Sequence, residues 1–107
     1  MNRESRRIDY TGSCELAVAR RYFAASISDL SATGCSVATE CELKLRKGNV
    51  IDIVLPIKTP NSFASSLEVE VMWAEGCMVG LKFNFQSVSS KREYIKFLKN
   101  IYEQQHN

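Results

Sequence analysis

Histidine is nearly absent from this sequence: the single one, His106, is the penultimate residue. Chain ends are usually mobile, so a histidine-centred acid–base site is a poor expectation. Other marks of enzymes are missing too. The sequence contains no G-x-x-x-x-G-K-[ST] phosphate loop, no H-E-x-x-H pair and no G-x-S-x-G elbow. The four cysteines, Cys14, Cys35, Cys41 and Cys77, form no C-x-x-C pair and have no histidine nearby. That spacing argues against zinc, whose ligands usually come in close pairs on a tight turn, and for reduced thiols. No apolar run approaches the roughly 18 residues of a membrane span. The opening "MNRESRRIDY" has charges but no apolar stretch behind them, unlike a secretory signal. A cytoplasmic protein without membrane insertion is expected. The net charge of +2 is too small to demand a nucleic-acid partner. Glu68 and Glu70 are paired carboxylates, but at i, i+2 they belong to the solvated face of a strand. The expectation is a non-enzyme with no metal and no cofactor.

What the sequence does have is alternation. Cys14, Leu16 and Val18 share one face of a period-two run, as do Phe23, Ala25 and Ile27, then Cys35 and Val37, then Ile51, Ile53 and Leu55. Such runs mark half-buried strands. Leu67, Val69, Val71 and Trp73 alternate with Glu68, Glu70 and Met72, and Val79, Leu81, Phe83 and Phe85 return after Glu75-Gly76, so residues 67–85 read as a hairpin. Pro56, Pro60, Asn61 and Ser62 mark the longest loop. After residue 88 the period changes. Ser90-Lys91-Arg92-Glu93 fits a capping box, and Tyr94, Phe97, Leu98, Ile101 and Tyr102 form one helical apolar stripe. These elements predict an all-β fold with a terminal helix: six short strands in a small antiparallel barrel or sandwich, closed to avoid bare edges. The expected organisation is one domain over 1–107, with a flexible N-terminal arm at 1–12, the barrel at 13–86 and the helix at 89–104, plugging or flanking the barrel.

Two short motifs carry chemistry. The arm holds "RESRR", with Arg3 and Arg7 spaced R-x-x-x-R around Arg6. Guanidinium forks match phosphate oxygens bidentately, fit O6 and N7 of guanine, and stack on bases. A solvated basic tail accounts for the same residues. Further on, "DLSATG" offers Asp29, an acceptor-only carboxylate suited to the N–H donors of guanine. It also offers the hydroxyl of Ser31, and Gly34, which allows positive φ or close backbone approach. An ordinary Asx or ST turn explains this stretch equally well.

In this order and spacing, R-x-x-x-R, D-x-S-x-x-G, "LRKGNVIDIVL" and "LEVEVMWAEGCMVGLKF" with its G-x-x-F ending at Phe83 resemble the PilZ domain family over nearly the whole chain. The resemblance implies a bacterial β-barrel that binds the second messenger cyclic di-GMP. Arg3 and Arg7 would clamp phosphates and guanine edges, and Asp29, Ser31 and Gly34 would embrace a guanine. Where many ligand-binding members carry a further arginine just before the motif, this chain has Asn2, which leaves one ligand molecule or an intercalated pair open. With the motif starting at residue 3, the chain resembles a stand-alone receptor that signals to a separate downstream protein partner, in motility, adhesion or biofilm regulation. Trp73 either packs, as its alternation with Val69 and Val71 indicates, or lines the ligand pocket as an aromatic does in similar domains. Arg6, with Arg20 and Arg21, adds positive field.

Two other readings stay open. One is a PilZ-like protein-interaction module that binds no nucleotide. The other is a single-strand nucleic-acid binder using Tyr10, Tyr22 and Trp73 as stacking platforms, which the modest charge disfavours. The expected mechanism is an arm that closes over a dianionic ligand through charge-assisted hydrogen bonds. The stripe on the helix either caps its own barrel or pairs with a second subunit.

Overall fold

A computed structural model describes residues 7–57 and 65–105. Six strands, β1 (Ile8–Val18), β2 (Arg21–Leu30), β3 (Gly34–Thr39), β4 (Val50–Leu55), β5 (Ser65–Glu75) and β6 (Met78–Phe83), precede one helix, α1 (Val88–Gln105). The strands close into an antiparallel barrel in the order β1-β2-β3-β6-β5-β4. Closure leaves the apolar members of each alternating run on the inner face. Leu16, Ile27, Val37, Ile53, Val69 and Leu81 are all buried there, and the polar alternates face out, as period-two patterning requires.

Two expectations need correction. The arm was placed at 1–12, but β1 already begins at Ile8, which pairs with Leu30, followed by Asp9 with Asp29. Ile8 and Tyr10 are half-buried against the core, so the alternation that defines β1 starts at Ile8, well before Cys14 makes it visible. Residues 1–6 lie outside the described residues. The helix begins at Val88, and its cap is Ser87 rather than Ser90: Ser87 Oγ accepts the Ser90 N–H at 3.0 Å, the side-chain oxygen taking up an orphan first-turn donor. Glu93 instead faces Lys96 one turn on.

The helical stripe caps its own barrel. Tyr94 and Ile101 are buried, and Phe97 meets the Tyr10 ring edge-on at 6.2 Å between centroids. Tyr94 stacks among Phe83, Phe85 and Phe97, nearest to Phe83 at 4.4 Å. The Gln105 side-chain amide donates to the Asp9 carbonyl. The helix therefore lies over the barrel end where β1 starts and the β2–β3 turn sits.

Candidate functional site

Straight alternation would put Asp29 on the same inner face as Ile27, and Trp73 on the same inner face as Val71. Neither is there. A β-bulge interrupts the β2–β3 register between Ile27 and Asp29, and another interrupts β5–β6 between Val71 and Trp73. Each extra residue turns the next side chain to the opposite face. Asp29 pairs with Ser36, Ser36 with Gly80, and Gly80 with Trp73. The two bulges thus place a carboxylate and an indole at the ends of one outward row across four strands. Neighbouring strands lie about 4.8 Å apart, so the row spans roughly 14 Å.

Its chemistry is dense. Arg7 Nη1 donates to Asp29 Oδ1 at 2.5 Å, across 22 residues of sequence, with about half of the arginine side chain exposed. Ser36 Oγ reaches both carboxylate oxygens at 3.0 Å. Asp29 is therefore a hub that orients Arg7 and is itself oriented by Ser36. At the other end, Trp73 is 44% exposed. Gly80 explains its pose: a Cβ there would lie 2.1 Å from Trp73 Nε1, so the indole occupies the space a side chain would fill. The packing expected from alternation is thus replaced by a half-open ring lying on the sheet. In the adjoining row Lys82 pairs with Gly34 and adds an exposed cation.

The turn 31–34 is a different object. Ser31 is fully buried. Its Oγ accepts the Thr33 and Gly34 N–H groups at 3.2 and 3.1 Å, and its own N–H donates to the Gly34 carbonyl at 2.8 Å. The hydroxyl is spent inside the turn, an ST motif, rather than presented to solvent. Gly34 does not adopt positive φ. Its lack of a side chain answers a close approach by β6, because a Cβ would lie 2.1 Å from the Leu81 carbonyl oxygen. The Thr33 carbonyl accepts Phe83 N–H at 2.9 Å, and the Ser31 carbonyl accepts the Tyr94 hydroxyl at 2.5 Å. Burial holds the Tyr94 phenol protonated far above its ordinary range, with a smaller push from Cys35. It is therefore a permanent donor.

Of the residues singled out in the sequence, Arg7, Asp29 and Trp73 share the outer face, and Ser31 and Gly34 frame the turn beside it. Arg3 and Arg6 lie outside the described residues. Sequence reasoning missed Ser36, Lys82 and Tyr94. Ser36 and Lys82 were accessible only through strand register, and Tyr94 had registered simply as part of an apolar stripe. Apart from the row, a cleft of about 480 Å³ lies between α1 and the barrel, lined by Tyr10, Ile57, Phe97 and Ile101. Among the described residues, no group of three or more His, Cys, Asp or Glu could hold a metal ion, and no helix is long and apolar enough to cross a membrane.

A family model for the PilZ domain matches residues 1–100. Among solved structures, the chain is similar to the PilZ domain of CeSA from a cellulose-synthesizing bacterium, at 18% identity and a TM-score of 0.75, covering 92% of this chain and 99% of that one. It is similar to the PilZ domain of YcgR from Escherichia coli, solved with c-di-GMP, at 14% identity and a TM-score of 0.73, covering 99% and 98%. It also resembles the Bacillus subtilis inhibitor of motility MotI/DgrA, at 13% identity and a TM-score of 0.75, covering all of this chain but 53% of that one. Identities this low establish the fold alone. No curated protein sequence matches the chain significantly.

Proposed function

This chain belongs to the PilZ domain family, and we propose that it is a non-catalytic cyclic di-GMP receptor that relays ligand occupancy to a protein partner. The observation that carries this is the outward row: Arg7 held on Asp29 at one end, an exposed indole at the other, and glycine between. A cyclic dinucleotide combines phosphates with flat bases, and the row offers a guanidinium for the first and a stacking surface for the second.

In this mechanism Arg7, joined by Arg3 and with Arg6 supplying positive field, engages phosphate and guanine edges. Asp29 keeps one oxygen on Arg7 and offers its remaining lone pairs to guanine N–H donors. Trp73 stacks on a base, an interaction of about 1–3 kcal/mol. Ser31 and Gly34 act by shaping the turn that ends at this face. The energetics favour capture. A half-exposed ion pair such as Arg7–Asp29 contributes only about 0–1 kcal/mol, whereas each charge-assisted bond to a ligand phosphate contributes roughly 1.5–3 kcal/mol. Loosening the resting pair costs little against what the ligand returns.

The test is titration calorimetry with cyclic di-GMP, using GTP and the linear dinucleotide as controls. Wild type should bind the cyclic ligand selectively, and Arg7→Ala should weaken binding at least about tenfold, equivalent to about 1.4 kcal/mol. Equal affinity in both proteins would sink the clamp. A flat trace for wild type would leave the domain as a protein-interaction module.

A further inference from the structure

The turn that ends at the candidate face is tied to the helix through the Tyr94 side chain. Its three carbonyl anchors come from different places. The Gly34 carbonyl is bound within the turn by Ser31 N–H, and the Thr33 carbonyl by Phe83 N–H of β6. The Ser31 carbonyl is bound by the hydroxyl of Tyr94, 63 residues away on α1. Ser31 is fully buried, so water cannot replace that donor. Without it, the carbonyl is left unsatisfied or the peptide rotates to reach solvent. Rotation there moves the end of β2, two residues from Asp29, and with it the carboxylate that holds Arg7. The Tyr94 ring has no freedom to follow such a movement: it is completely buried and stacked on Phe83 and Phe85.

We propose that Tyr94 is a positioning residue for the ligand face: its hydroxyl fixes the Ser31 carbonyl, so that the shape of the 31–34 turn and the seating of α1 on the barrel are one linked equilibrium. This rests on the receptor reading for its signalling meaning, though not for its geometry. Linkage is reciprocal. If α1 holds the turn in its binding shape, a ligand that requires that shape must hold α1 down. The helix is then the element through which occupancy reaches a partner.

The test compares wild type, Tyr94→Phe and two controls on the same helix, Ile101→Val and Ile101→Ala, which bracket the loss of stability without touching the turn. In ligand-free protein, amide exchange at Thr33 and Gly34 should be at least about tenfold faster in Tyr94→Phe than in the control of matched melting temperature. Equal exchange overturns the proposal. With cyclic di-GMP, Tyr94→Phe should lose roughly tenfold in affinity while the matched control keeps wild-type affinity, within the usual range of coupling between sites. Identical losses would mean that Tyr94 acts through general stability, which also overturns it. Should Tyr94→Phe fail to fold, wild type decides: ligand must slow exchange along α1, and unchanged α1 protection is a negative result. If wild type binds no cyclic di-GMP, the receptor reading fails and the ligand-free exchange alone judges Tyr94.

Discussion

β2 is bounded by two turns that solve the same problem in opposite ways. At its start, Val18 pairs with Arg21 across a two-residue link, and Ala19 and Arg20 both have positive φ, 51° and 66°. That link follows the twist of the strands, but it normally asks for Asn-Gly, because an L side chain in the left-handed region costs about 1–2 kcal/mol. At its end, the 31–34 turn has no residue with positive φ and is tied down by hydrogen bonds from its own serine, from β6 and from α1. The first turn is strained and exposed; the second is relaxed and pinned. The candidate site adjoins the pinned one. Placing a carboxylate to within a hydrogen bond of Arg7 and Ser36 calls for a turn with a single shape, and internal bonding supplies that where conformational strain would not.

The contrast can be broken most severely at Gly34. Gly34→Ala drives a Cβ to 2.1 Å from the Leu81 carbonyl oxygen, a backbone atom that cannot swing aside. We expect about 3 kcal/mol or more of destabilisation, seen as a melting temperature lower by more than about 10 °C. A melting temperature within about 2 °C of wild type would show that the turn is not pinned.

Alkali should act next, and on the same side. Burial pushes the Cys14 thiol up to about 11, with a smaller contribution from Glu15. Burial first, and then Cys14 and Asp29, raise Cys35 further, and burial raises Tyr94. In the unfolded chain, thiols ionise near 9 and the phenol near 10. Between those values and the folded ones, the unfolded state has lost protons that the folded state retains. The stabilisation is therefore complete below about pH 9 and declines as pH rises. Thermal melting should be flat near neutrality and lower by several degrees at about pH 10.5. A flat profile through that range would contradict the burial of these groups.

The smallest effect belongs to the strained turn. Replacing Ala19 with Gly, which leaves the charge of Arg20 in place, should relieve part of the left-handed strain and raise stability by up to about 1 kcal/mol, with cyclic di-GMP affinity unchanged. A change in affinity would mean that the two ends of β2 communicate, and the distinction between them would fall.

Much of this architecture could be read from period. Ile51, Ile53 and Leu55 alternate without interruption and lie where alternation puts them, as does the stripe through Tyr94 and Ile101. The sidedness of Asp29 and Trp73 could not be read, because each sits just past a bulge, and a bulge leaves the residue types unchanged while reversing the face. The start of β1 was obscured because Gly12, at the inward position between Tyr10 and Cys14, leaves a gap in the apolar series. Ser36 and Tyr94 were invisible for another reason: their roles lie in hydrogen bonds to residues 7 and 63 positions away, which no local pattern encodes.

The barrel's closure has its own consequence. Among the described residues, β1 meets β4 over three residue pairs, Glu15–Val54, Leu16–Ile53 and Ala17–Asp52, and β4 meets β5 over six. The first half of β1 pairs with β2, and α1 reaches it through Gln105, whose side-chain amide donates to the Asp9 carbonyl. Here α1 works as a gasket over the start of β1. Lifting it would bare the Asp9 carbonyl that Gln105 now covers, together with the half-buried Tyr10 and the buried faces of Tyr94 and Ile101. A domain built this way cannot release its helix to a partner without also exposing apolar surface, so the surface on offer depends on whether the helix is seated.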